Sequence, residues 1–340
     1  MASETSSHEN ATSHTLQNSQ YGSTILLKLN EFRLGSLFTD TILCVEEDEF
    51  PCHKNVLAVS SPYFQAMFTT DLKESRENKI RFNDISPWIL KLLIDYAYSG
   101  EIEITANNAQ EMLAAACLFQ YPAIVSACET FLEKQLHPSN CLGIEMFAHL
   151  HSCSELVEKA HQYAQENFTA VTENDEFLDL PLDRLQEYIS SDLIDVRSEQ
   201  VVFHAAMRWI KYDIVNREVH LSELLENVRL SVLDVANLKL IENNPLVCAS
   251  EKCLTLIQEA QQSFQETQGG KRRRSMQDSA VQPRPSTVAK EVLVVLGGIT
   301  GTSVEMYDPH KEKWTSLAEL PEQVSLSIFW TASDRSFVIG

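Results

Sequence analysis

The sequence predicts a chain of several domains: a small α/β domain, an all-α domain of packed antiparallel helices and, beyond a linker, a fragment of a β repeat. Three observations predict it. Between Leu37 and Arg76 a β-branched run with an acidic turn gives way to helical spacing. From His137 to Gln268 the apolar residues keep the helical period, with caps and turn residues between segments. From Val292 onward, strand-like runs are punctuated by a glycine pair. At 340 residues the chain can bury two or more cores, and its 44% hydrophobic and 22% charged residues are ordinary for globular protein.

Residues 1–20 are rich in Ser, Thr and Asn without a basic start or an apolar core, which predicts a disordered tail rather than a signal or transit peptide. Thr24 to Phe32 places Ile25, Leu26, Leu29 and Phe32 at helical spacing. Thr41 to Val45 and Phe50 to Cys52, joined by Glu46-Glu47-Asp48, read as a β-hairpin. From His53 the period is helical through Val56, Leu57 and Ser60. Ser61-Pro62 then breaks the run, because serine suits an N-cap and proline the first position of a new helix. Ile80 and Phe82 suggest a strand. Ser86-Pro87 starts a helix in the same way, with Ile89, Leu90, Leu93, Ile94 and Ala97 on one face and Gly100 at its end. Glu101 to Thr105 alternates charge with Ile as a short strand. The helices Asn108 to Phe119 and Pro122 to Leu136 complete this domain, and Cys117 and Cys128 within their faces read as buried thiols.

The run FTD, then CHKNVLAVSSPYFQAMF, then a polar segment carrying Leu72-Lys73-Glu74, resembles the BTB (POZ) domain over about forty residues. The resemblance implies homodimerisation, with the first helix (Ile25, Leu26, Leu29, Phe32) packed across the partner and Asp40 and Lys54 as paired charges near that interface. It also implies that Leu72, Lys73 and Glu74 match the element by which Kelch-like members grip the cullin-3 scaffold of a ubiquitin ligase. A helix laid on its own core predicts the same apolar stripe, so the residues by themselves leave the dimer open.

In the helical stretch, 138–144, Val201 to Ile210 and Leu224 to Leu230 together resemble the BACK domain, with His137 where that family usually has Asp and Ser231 where it usually has Pro. His204 and Trp209 read as packing residues of one helix rather than a ligand site. Residues 269–290, rich in Gln, Gly, Ser and Pro around Lys271 to Arg274, read as a linker; the four bases read as a solvated charge run, with nuclear import the other reading. Residues 291–340 carry Gly297, Gly298, Tyr307 and Trp314, a spacing that resembles one kelch repeat, the four-stranded blade of a β-propeller, so an incomplete propeller is expected. The glycines let strands crowd at the propeller axis, and Tyr and Trp pack between blades.

In the order 21–136, 137–268 and 291–340, these resemblances identify a Kelch-like chain and imply a substrate adaptor of a cullin-3 RING ubiquitin ligase in the cytoplasm. A BTB scaffold or cytoskeletal organiser that never engages a cullin is the alternative, and Leu72-Lys73-Glu74 separates the two. A zinc-finger repressor would need paired Cys and His spacing, and the sequence has none. A net charge of −21 argues against a general nucleic-acid binder. No apolar run reaches a membrane span's length, no cofactor motif is present, and neither a nucleophile elbow nor a phosphate loop suggests an enzyme.

Overall fold

A computed structural model of the chain describes residues 17–70, 78–268, 282–287, 292–296, 304–308, 313–316, 327–332 and 335–339. Residues 1–16, Leu72-Lys73-Glu74, Lys271 to Arg274 and the Gly297-Gly298 pair lie outside them. The chain divides into two compact units, one reaching Gln135 and including Ala148–Leu156, the other formed by Leu136–Phe147 and everything from Val157. Ala148–Leu156, expected in the helical domain, thus groups with the first unit.

In the first unit, helix α1 (Tyr21–Leu34) precedes a three-stranded sheet of β1 (Thr41–Val45), β2 (Asp48–Cys52) and β3 (Lys79–Phe82) in the order β2-β1-β3. β1 pairs antiparallel with β2 in the predicted hairpin and parallel with β3. The helix pair α2 (Lys54–Ser60) and α3 (Pro62–Thr69) breaks at Ser61 as predicted. Ser61 is fully buried; its Oγ accepts from the Phe64 amide at 3.2 Å and donates to the Phe119 carbonyl at 2.6 Å. One hydroxyl therefore caps α3 and ties the helix break to the chain 58 residues on. Phe64 stacks on Phe119 with ring centroids 5.4 Å apart, and Phe82 meets both edge-on.

Helices α4 (Pro87–Ser99), α5 (Ala109–Leu118) and α6 (Pro122–Lys134) follow, and Ile89, Leu90, Leu93, Ile94 and Ala97 are buried as predicted. Gly100 ends α4 at φ 75°, a conformation glycine adopts without strain. Two local expectations fail. Ser86 makes no cap; its hydroxyl donates to Glu111 instead, at 2.9 Å. Glu101 to Thr105 forms no strand. The Asn108 side chain clamps it as a loop, accepting from the Thr105 amide at 2.7 Å and donating to the Glu103 carbonyl at 2.8 Å.

The second unit contains helices as far as Gln268, as predicted: α7 (Cys141–Leu150) at the join, then α8 (Ser154–Glu166), α9 (Phe168–Val171), α10 (Asp175–Leu178), α11 (Leu182–Ser190), α12 (Glu199–Tyr212), α13 (Ile214–Arg217), α14 (Leu221–Glu226), α15 (Val235–Glu242), α16 (Pro245–Cys248) and α17 (Glu251–Gln268). Trp209 is core, its indole N–H donating to the Leu180 carbonyl at 2.8 Å and its ring covered by the Arg217 guanidinium at 4.0 Å. His204, expected to pack beside it, lies instead on the exposed side of α12. Beyond the helices, β4 (Val292–Leu296), β5 (Val304–Asp308), β6 (Lys313–Ser316), β7 (Ser327–Ala332) and β8 (Arg335–Ile339) form an antiparallel sheet in the order β6-β5-β4-β7-β8. This single sheet is consistent with the expected incomplete propeller.

Two predictions follow from these contacts. Ser61→Ala leaves a buried amide and a buried carbonyl without their partner and should cost about 2 kcal/mol in urea denaturation. The second concerns Glu145, buried on α7 against Arg184, the Tyr188 hydroxyl at 2.5 Å and His161 Nδ1 at 2.9 Å. Burial alone would raise its pKa, but the His161 and Tyr188 hydrogen bonds and the Arg184 charge hold it below the usual carboxylate range. A depressed folded pKa contributes stability that is present above the unfolded value of about 4.3 and lost as pH falls through the folded value. Glu145→Gln should therefore lose less stability between pH 5 and pH 3 than the parent, measured by thermal melts across that range.

Candidate protein-interaction surface

Helix α1 buries Arg33 and leaves several of its apolar residues exposed. Arg33 is its buried residue, reaching Asp95 of α4 at 2.5 Å, Asn30 at 2.8 Å and the face of the Tyr98 ring at 5.0 Å. Asp95 also accepts from Lys91 at 2.6 Å, so one carboxylate gathers two cations and anchors the last turn of α1 to α4. Toward the N-terminal end of α1, Tyr21 is 63%, Ile25 41%, Leu26 36% and Leu27 59% exposed, with Leu29 and Phe32 half-buried. Of the six residues expected at a dimer interface, Ile25 and Leu26 are thus exposed and Leu29 and Phe32 half-buried.

Phe38, which the sequence reading passed over, is 79% exposed at φ 58°, a left-handed conformation uncommon for a bulky residue, and its ring meets Phe32 edge-on at 5.2 Å. Leu34 and Leu37 are exposed beside it in sequence. Only their position in the connection after an amphipathic helix could have signalled this.

Asp40 and Lys54 are brought together, but by the backbone: Asp40 Oδ1 accepts from the Lys54 amide at 2.7 Å. The exposed carboxylate thereby caps α2 from fourteen residues upstream. The Lys54 ammonium sits over the Phe68 ring at 5.5 Å. Next to them, buried His53 completes the joint. Its amide donates to the Tyr98 hydroxyl at 2.8 Å, and Nε2 lies 3.2 Å from the Leu37 carbonyl, which requires the proton on Nε2. Nδ1 then accepts from Tyr98 at 2.9 Å. This network holds the chain from Leu37 to Asp40 against α4.

Leu72, Lys73 and Glu74 lie outside the described residues, in the connection between α3 and β3. Tyr307 and Trp314 are register partners on β5 and β6, and Trp314 is half exposed. The thiols fall largely as expected, with Cys44, Cys52, Cys128, Cys141, Cys153 and Cys253 buried, while Cys248 is exposed. Burial pushes the Cys52 and Cys128 thiols up to about 12. Cys117 is only half-buried and lies with its Sγ 3.8 Å from that of Cys153, a juxtaposition that a separation of 36 residues hides in the sequence. Beside it opens a cleft of about 620 Å³ lined in part by Ser86, Glu111, Leu118, Leu150 and His151. Among the described residues, no group of three or more His, Cys, Asp or Glu is placed to hold a metal ion, and no helix is long and apolar enough to cross a membrane.

Comparison with known proteins gives the same modules. Residues 29–136 match the BTB/POZ domain, 141–243 the BACK (BTB And C-terminal Kelch) domain and 283–321 the Kelch motif. Kelch-like protein 24 of Homo sapiens is 40% identical over 311 residues, 89% of this chain and 51% of its own length. Kelch-like protein 2 of Rattus norvegicus is 38% identical over 299 residues, 87% of this chain and 50% of its own. The chain therefore spans about half the length of the curated relatives it matches. Among solved structures, the BTB domain of zebrafish PATZ1 is 31% identical, covering 36% of this chain and 99% of that one with a TM-score of 0.33. With BTB, BACK and Kelch modules in that order, and about 40% identity across nearly all of its length, the chain belongs to the Kelch-like family.

Proposed function

We propose that this protein is a substrate-recognition adaptor of a cullin-3 RING ubiquitin ligase, which homodimerises and holds cullin-3 through its BTB domain. The observation that carries the reading is Leu72-Lys73-Glu74, an apolar residue and an acid two positions on, in the connection between α3 and β3 of a BTB domain that belongs to a Kelch-like chain. A pure scaffold has no use for that element. The apolar surface of α1 and Phe38 supports self-association, since a contiguous exposed patch of large apolar side chains marks an interaction site. The role is one of positioning. It needs no cofactor, metal or catalytic residue, and it places the chain in the cytoplasm, where the Kelch module would choose a protein substrate.

Two measurements test it. Sedimentation equilibrium at micromolar concentration should give twice the chain mass of 38.5 kDa, and Leu26→Asp should shift the protein to monomer without lowering its helicity. A clean monomer in the parent would remove the dimer. Titration with cullin-3 should show that Leu72→Ala with Glu74→Ala weakens binding at least ~30-fold, about 2 kcal/mol, as expected for an interface hot spot. Dimerisation and thermal stability should stay as in the parent. Unchanged cullin affinity would contradict the assignment, and loss of folding would make Leu72 a core residue.

A further inference from the structure

Residues 282–287 fall inside the stretch expected as a linker, yet Arg284 is a fully buried side chain in the helical unit. Its Nε donates to Glu199 Oε1 at 2.6 Å, with both side chains closed off from solvent. Its Nη2 donates to the Ile189 carbonyl at 2.5 Å and reaches the Asn227 carbonyl at 3.3 Å, while Nη1 donates to the Ser191 carbonyl.

The origin of these acceptors explains their chemistry. Ile189 and Ser191 stand at the C-terminal end of α11, and Asn227 is the C-cap of α14. The last carbonyls of a helix lack partners within it and carry the negative end of its dipole. Two helix ends and one carboxylate therefore make an acceptor-lined pocket whose forked spacing matches a guanidinium better than an ammonium. Removing Arg284 would strand Glu199 as a buried charge, since its other bond shown here is from the Arg229 amide at 3.2 Å.

The flanking residues are docked as well. Ser286 Oγ donates to the Ile194 carbonyl at 2.8 Å and accepts from the Val196 amide at 3.2 Å. Arg229, paired with Asp192, donates to the Gln282 carbonyl at 3.0 Å. Pro283 and Pro285 fix the backbone on both sides of Arg284, which lowers the entropy lost on docking.

We infer that the helical unit carries a guanidinium-binding pocket filled in cis by Arg284, and that residues 282–287 are a docked strap rather than free linker. The strap sets the reach of the β repeat. Five Cα–Cα steps separate Thr287 from Val292, at most about 18 Å of extended chain, against 24 steps and about 86 Å from Gln268. In an adaptor this holds the substrate module close to the helical unit. That consequence rests on the proposed function; the docking does not, and cullin affinity is a separate readout.

Hydrogen exchange on the full chain, followed at the Val196 amide, tests the strap together with a thermal melt. Arg284→Met should speed exchange there at least tenfold, and Arg284→Lys should fall between it and the parent. Adding Glu199→Gln to Arg284→Met removes the stranded charge, so the melt should return toward the parent while exchange at Val196 stays fast. Parent-like exchange in Arg284→Met would overturn the inference. Global unfolding of both the single and the double variant would overturn it too, because the pair would then be an inseparable part of the core.

Discussion

The contact between Arg33 and Asp95 anchors helix α1 to the rest of the BTB unit. An amphipathic helix ordinarily turns its apolar stripe inward. In α1 the buried side chain is that of Arg33, its guanidinium 2.5 Å from the Asp95 carboxylate on α4 and over the Tyr98 ring. Ile25, Leu26 and Leu27, in the N-terminal half of α1, are exposed, as are Leu37 and Phe38 in the connection that follows it. The His53–Tyr98–Leu37 bonds and the cap that Asp40 supplies to α2 hold this connection in place. Apolar surface of this extent is costly to leave in water at about 25 cal/mol per Å², which is the physical reason to expect a second copy over it.

Much of this was legible in the sequence because local chemistry and tertiary packing agree. Ser61-Pro62 signals a helix break, and the structure uses the same serine for the cap and for the bond to Phe119. The face of α4 was readable from its period, since five apolar residues at helical spacing have one way to be buried together. The BACK helices were readable for the same reason.

What escaped the sequence depends on partners distant along the chain. Glu101 to Thr105 alternates like a strand, but a strand needs a neighbour with a free edge, and Asn108 supplies loop bonds first. Arg284 stands among prolines and serines that read as tether, and its pocket is assembled from residues 57 to 95 positions away. Asp40 and Lys54, expected as paired charges near a dimer interface, are joined instead by a backbone cap. Phe38 carried no periodic signal because it follows the helix instead of lying on it.

The central claim is that a second copy of this chain covers the α1 surface, leaving the α3–β3 connection available to a cullin. It is tested most directly by placing a photo-crosslinking residue at position 26 of the full chain and mapping the products by mass spectrometry. The account predicts a covalent species of twice the chain mass whose crosslinks join α1 of one copy to α1 and the Leu37–Phe38 connection of the other. Crosslinks confined within one chain, at concentrations where sedimentation shows a dimer, would contradict it.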